Sequence, residues 1–135
     1  MVLPFDFLVR GTPISLQGNS SARRNWKDAV HEQASKTWVG NPYKEESLHF
    51  TLVHLCDEIG EYPDIDNIIK PIQDALIGLI YDDDGSIISV DAHRRSFLGT
   101  FDIIRCPRLF IEGVGLRTEC VYVRIAQAKS LEDYL

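Results

Sequence analysis

The chain has 135 residues, 44% hydrophobic and 25% charged. One domain of this length buries about two thirds of its unfolded surface, and the composition excludes a disordered chain, a collagen and a disulfide scaffold. The net charge of −6 argues, taken whole, against a nucleic-acid partner. Its distribution reads differently. Glu61, Asp64, Asp66, Asp74, Asp82, Asp83 and Asp84 stand against Lys70 alone, so residues 61–84 carry the entire net charge and the remainder is neutral.

The opening Met-Val-Leu-Pro-Phe-Asp-Phe lacks the features of a signal peptide. No run of 18 apolar residues suggests a membrane span. Cys56, Cys106 and Cys120 form no CxxC pair and suggest no zinc site. A cytoplasmic protein with reduced thiols and no membrane association is the expectation.

Val2 to Arg10 alternates Phe5, Phe7 and Val9 and predicts a strand. After turns at Gly11-Thr-Pro and Gly18-Asn19, Ser20 or Ser21 would cap a helix running to about Trp38. In that helix Trp26, Ala29, Val30, Ala34 and Trp38 share a face. Ser47 to Cys56 predicts a strand with Leu48, Phe50, Leu52 and His54 on one side. Asp66 to Ile77 predicts a helix with Ile69, Ile72, Ala75 and Leu76 as its stripe and Gly78 as its stop. Pro71 sits deep for a helix starting at Asp66, which suggests a start nearer Lys70. Asp82 to Ser86 is a loop. Ile87 to Phe97, Leu109 to Ile111 and Cys120 to Ala126 are predicted strands, and Lys129 to Leu135 a loose tail. The order is roughly βαβαβββ. It predicts a single α/β (α+β) domain over 1–135, a mixed sheet flanked by two main helices.

The acidic segment carries the chemistry. Asp64 and Asp66, two residues apart, point to the same side of an extended chain. Asp66, Lys70 and Asp74 follow at steps of four and share a helix face. A 12-residue helix is about 18 Å long, so a chain reversing at Gly78 returns Asp82, Asp83 and Asp84 toward Asp64 and Asp66. Converging carboxylates repel, and a divalent cation removes that cost. Oxygen-only ligands suit Mg²⁺ or Mn²⁺, and a neighbouring lysine suits the charge that builds on a phosphate in transfer. An isolated Asp-x-Asp is also what a cap or a solvated turn uses, and Asp-Asp-Asp-Gly is commonly an exposed loop. An EF-hand does not fit, because Ile68 occupies its fifth position after Asp64.

Residues 63–87, Pro-Asp-Ile-Asp-Asn-Ile-Ile-Lys-Pro-Ile-Gln-Asp-Ala-Leu-Ile-Gly-Leu-Ile-Tyr-Asp-Asp-Asp-Gly-Ser-Ile, resemble the signature of the RusA-type Holliday-junction resolvases. That signature is approximately Asp-x-Asp-Asn, then Lys, then Asp-Ala/Ser-Leu, an apolar stretch, and Asp-Asp-x-Gln-Ile/Val. Ser86 stands here where the family has Gln, preceded by Gly85. The resemblance implies a small homodimer that cuts branched DNA with Mg²⁺, Mn²⁺ being able to substitute. By the same resemblance Asp64, Asp66 and Asp84 match the catalytic, metal-binding carboxylates and Asp83 their acidic neighbour. Lys70 matches the catalytic lysine, and Asn67 and Asp74 match supportive positions.

DNA affinity needs cations facing phosphate. Residues 10–36 and 93–108 each carry a net charge of +3. Arg23, Arg24, Lys27, Arg94 and Arg95 are the candidate DNA contacts. The expected function is a structure-specific endodeoxyribonuclease resolving four-way junctions by paired cleavage in recombination and repair. The alternatives are a DNA-binding protein of the same fold without turnover, or a nuclease for other branched nucleic acids.

Overall fold

The structure, a computed structural model, describes residues 2–44 and 47–135. Its elements in chain order are β1 (Phe5–Arg10), α1 (Ser20–Ser35), β2 (Leu48–Cys56), α2 (Ile65–Ala75), β3 (Ile87–Ser96), α3 (Arg108–Gly115) and β4 (Cys120–Gln127). The four strands form one mixed sheet in the order β1-β4-β2-β3. β4 runs antiparallel to both β1 and β2, whereas β3 lies parallel to β2. A parallel pair needs a crossover, and α2 with the acidic loop after it is that crossover.

Strand alternation sorts the side chains onto two faces. One face presents Phe5, Phe7, Val9, Leu48, Phe50, Leu52, Val121, Val123 and Ile125 to α1 and α2, which add Trp26, Val30, Ala34, Ile68 and Ile72 to a single core. The other face carries Leu55, Cys120 and Tyr122, covered by Phe97 and by Phe110 of α3. The expected α+β architecture is therefore present, with a third helix in place of one predicted strand. Leu109 to Ile111 is the first turn of α3, not a strand. A short apolar run does not reveal its period, and packing of Phe110 and Gly113 against the sheet decides it.

Both ends of α1 differ from expectation. Asn19, rather than Ser20 or Ser21, caps α1: its Oδ1 accepts from the Ala22 amide at 2.7 Å. The helix ends at Ser35, and Trp38 folds under it against Phe5, edge to face at 5.1 Å.

α2 begins at Ile65 and runs unbroken through Pro71. Proline has no N–H to give the carbonyl four residues back, which here is that of Asn67. That carbonyl instead accepts from the Leu16 amide at 2.8 Å, fastening the 11–19 loop to α2. At the far end the Ala75 carbonyl accepts from His31 Nδ1 of α1 at 3.0 Å. Gly78 then reverses the chain at φ +83°, a conformation that favours glycine. The last residues are docked through Tyr134, which stacks on His49 at 5.0 Å and accepts from the Lys129 amide. The three cysteines are free thiols, and Cys56 and Cys120 are buried. Among the described residues, no helix is long and apolar enough to cross a membrane.

Candidate active site

The site lies where α2 meets the acidic loop. Tyr81 sets the loop's position: it is fully buried and its hydroxyl donates to the Gln73 carbonyl at 2.6 Å. Burial holds that phenol well above its ordinary pKa, so it stays a neutral donor. Asp84 to Ser86 then form one 3₁₀ turn leading directly into β3.

This path brings Asp84 onto the middle of α2. Lys70 Nζ donates to Asp84 Oδ2 and, at 2.9 Å, to Asp74 Oδ1 one helical turn on. The ammonium thus joins two carboxylates from the two arms of the crossover. Asp84, first through Lys70 and then through Asp83, is held below the usual carboxylate range. Lys70, first through Asp84 and then Asp74, is raised well above its ordinary value. A lysine held this firmly protonated serves as a fixed cation and a hydrogen-bond donor, not as a base.

Asp64 and Asp66 stand differently. Asp64 is the N-cap of α2 without a side-chain cap bond, and Asp66 lies in the first turn; both are exposed. Their charges favour the helix N-terminus. Asp66, Lys70 and Asp74 lie in α2 at steps of four as expected, and Lys70 pairs with Asp74; among the described residues no ion pair includes Asp64 or Asp66. Asp83 is exposed beside Asp84, and Asp82 pairs with Lys44 at 2.9 Å on the surface.

Asp64, Asp66, Asp83 and Asp84 offer only oxygen donors, the chemistry of a hard divalent ion. Among the described residues, however, no three His, Cys, Asp or Glu side chains are grouped so that they could hold a metal. Asp84 has the ammonium of Lys70 as its countercharge in this arrangement.

The five basic candidates divide. Arg24 is exposed on α1 and Lys27 half-buried. Arg95 is exposed, with its guanidinium on the Arg94 carbonyl. Arg23 bends back to the Leu16 carbonyl at 3.1 Å. Arg94 is half-buried and engaged within the chain. Its Nε donates to His54 Nδ1 at 3.0 Å, and a terminal nitrogen donates to the Pro63 carbonyl at 2.5 Å. Arg94 shares strand parity with Ala92, on the face packed by α1 and α2, and is half-buried there.

The RusA endodeoxyribonuclease family model matches residues 18–112. That span holds the whole crossover, the Lys70 cluster, the 93–108 basic stretch and the part of the first that carries Arg23, Arg24 and Lys27. The chain belongs to the RusA endodeoxyribonuclease family. No curated protein matches it. Membership makes it a member of a nuclease family, and the matched RusA region places Asp64, Asp66, Lys70 and Asp84 within the family's span. Sequence reading did not anticipate His54, Glu119 and Tyr62 around Arg94. Glu119 is 65 residues from His54 and outside the RusA match, so spacing carries no signal for the pair.

Proposed function

We propose that this RusA-family chain is a Mg²⁺-dependent endonuclease, with Mn²⁺ able to substitute, that resolves four-way DNA junctions as a homodimer in recombination and repair. The observation that carries the proposal is Lys70 bound to Asp84 across the crossover, inside the span matched by the RusA family. Asp64, Asp66 and Asp84, with Asp83 beside them, would hold the metal. When bound, the metal supplies an activated water and countercharge for the phosphate.

The remaining chemistry belongs to the chain. Asp64 and Asp66 present exposed carboxylates at the start of α2. Lys70 supplies a permanent positive charge for the phosphate oxygens as negative charge grows on them. Asp74 holds the lysine when Asp84 turns to another cation. Asn67 and Pro71 fasten the 11–19 loop beside the site through Leu16. Arg24, Lys27 and Arg95 would contact the flanking phosphates, and two protomers would address opposing strands.

The test is cleavage of a labelled four-way junction beside flap, fork and linear duplex substrates, in Mg²⁺ and in Mn²⁺. Symmetrical nicks confined to the junction are expected. Asp64→Asn and Asp84→Asn should abolish nicking and leave junction binding in place. Unchanged cleavage by both variants would overturn the site, and tight binding without nicking by the unaltered chain would favour a DNA-binding role.

A further inference from the structure

The 11–19 loop carries a tight turn whose exposed side chains the catalytic proposal does not use. The Gly18 amide donates to the Ser15 carbonyl at 2.9 Å, which closes a β-turn with Leu16 and Gln17 at its corners. The Gln17 amide donates to Ser15 Oγ at 3.0 Å. A Cβ on Gly18 would stand 2.8 Å from Ile14 Cγ2, so the turn closes this tightly only with glycine there. Beneath it Pro13 is buried and Ile14 packs on the core. Leu16 is held from both sides. Its amide donates to the Asn67 carbonyl of α2 at 2.8 Å, and its carbonyl accepts from Arg23 of α1 at 3.1 Å. Its side chain nevertheless stays 43% exposed, and Gln17 is exposed beside it.

The anchors place this tip. Asn67 follows Asp66 directly and precedes Lys70 by three residues, so the turn rests on the part of α2 that carries both. Arg24 and Lys27 continue from Arg23 along α1. The turn thus joins the helix of the proposed phosphate contacts to the helix of the Lys70 cluster. Its two exposed side chains are of another chemistry. Neither is charged, so neither can neutralise a phosphate. A primary amide offers a donor and an acceptor together, which matches a base edge. An aliphatic side chain packs on a thymine methyl or between base steps. Contacts to phosphate position the nucleic acid, and contacts to bases select its sequence. We propose that the Ser15–Gly18 turn reads the bases beside the branch, with Gln17 hydrogen-bonded to a base edge and Leu16 packed against a base. The proposal rests on the reading of the chain as a nuclease for branched DNA.

The test measures binding of the full chain, without divalent ions, to four-way junctions that differ only in the base pairs flanking the branch. Each is titrated over a range of salt, beside linear duplex. The unaltered chain should prefer some flanking sequences about tenfold. Leu16→Ala combined with Gln17→Ala should bind all of them alike, at an unchanged salt slope, because no phosphate contact is lost. Both side chains are exposed, and an unchanged melting temperature checks that the fold is kept. Arg24→Ala is the contrast: it should lower the slope by about one and keep the preference. A double variant that retains the preference overturns the base-reading turn, as does an unaltered chain that shows no preference among the junctions. Failure of the unaltered chain to bind any junction more tightly than linear duplex would instead overturn the branched-DNA reading, and the turn's role with it.

Discussion

Lys70 shows how much a single side chain in this site is asked to do. It sits between Asp74 and Asp84 with its side chain still 45% exposed, and partly exposed pairs of this kind contribute only about 0–1 kcal/mol. Its value is therefore in charge placement. Lys70→Met is expected to leave the melting temperature nearly unchanged while slowing single-turnover cleavage about 10²–10³-fold, the usual cost of removing one preorganised donor. His54 gives a second prediction at this scale. Burial holds its pKa below the ordinary 6.5, outweighing the opposing pull of Glu119 and joined by Arg94. The unfolded chain then takes up a proton that the folded chain refuses, so stability is present above pH 6.5 and is lost as the pH falls below it. Melting temperatures taken from about pH 8 to about pH 5 should decline below that value, and His54→Asn should remove part of the decline.

Among the elements, α2 is the one whose sequence most invites misreading. A proline at its seventh position argues for a late start, yet the helix runs from Ile65 because the freed Asn67 carbonyl finds the Leu16 amide. Pro71→Ala would restore an in-helix donor to that carbonyl. Faster amide hydrogen exchange at Leu16, with α2 itself intact, is the expected result. The other elements divide according to the range of the forces that form them. Alternation over Phe5–Arg10 and Leu48–Cys56 is a local pattern, and those strands were legible. α3 was not, because eight residues holding a three-residue apolar run carry no readable period. Asp64, Asp66, Lys70 and Asp84 could be picked out because they crowd one short segment. The partners of Arg94 were not legible, because His54 and Pro63 lie on other segments far from it in the chain.

At the scale of the molecule, charge is segregated. The acidic segment lies on the crossover between β2 and β3, while Arg24 and Lys27 lie on α1 and Arg95 near the end of β3. Each phosphate that a side chain neutralises adds about 0.9 to the salt slope of duplex affinity. Arg24→Ala combined with Arg95→Ala should lower that slope by about two per protomer, measured as junction affinity against salt in the absence of divalent ions. A slope identical to that of the unaltered chain would show that these arginines face solvent alone.

The parallel pairing of β2 with β3 has a kinetic consequence. Asp84 reaches Lys70 only when the chain between the two strands has closed into its crossover, and parallel closure of this kind is intrinsically slow. Helix α2 can flicker into place early, but Lys70 has no Asp84 to meet until β3 docks. The proposed site is therefore expected to form only together with the parallel pairing of the sheet, so a chain whose β3 has not docked would hold its aspartates apart.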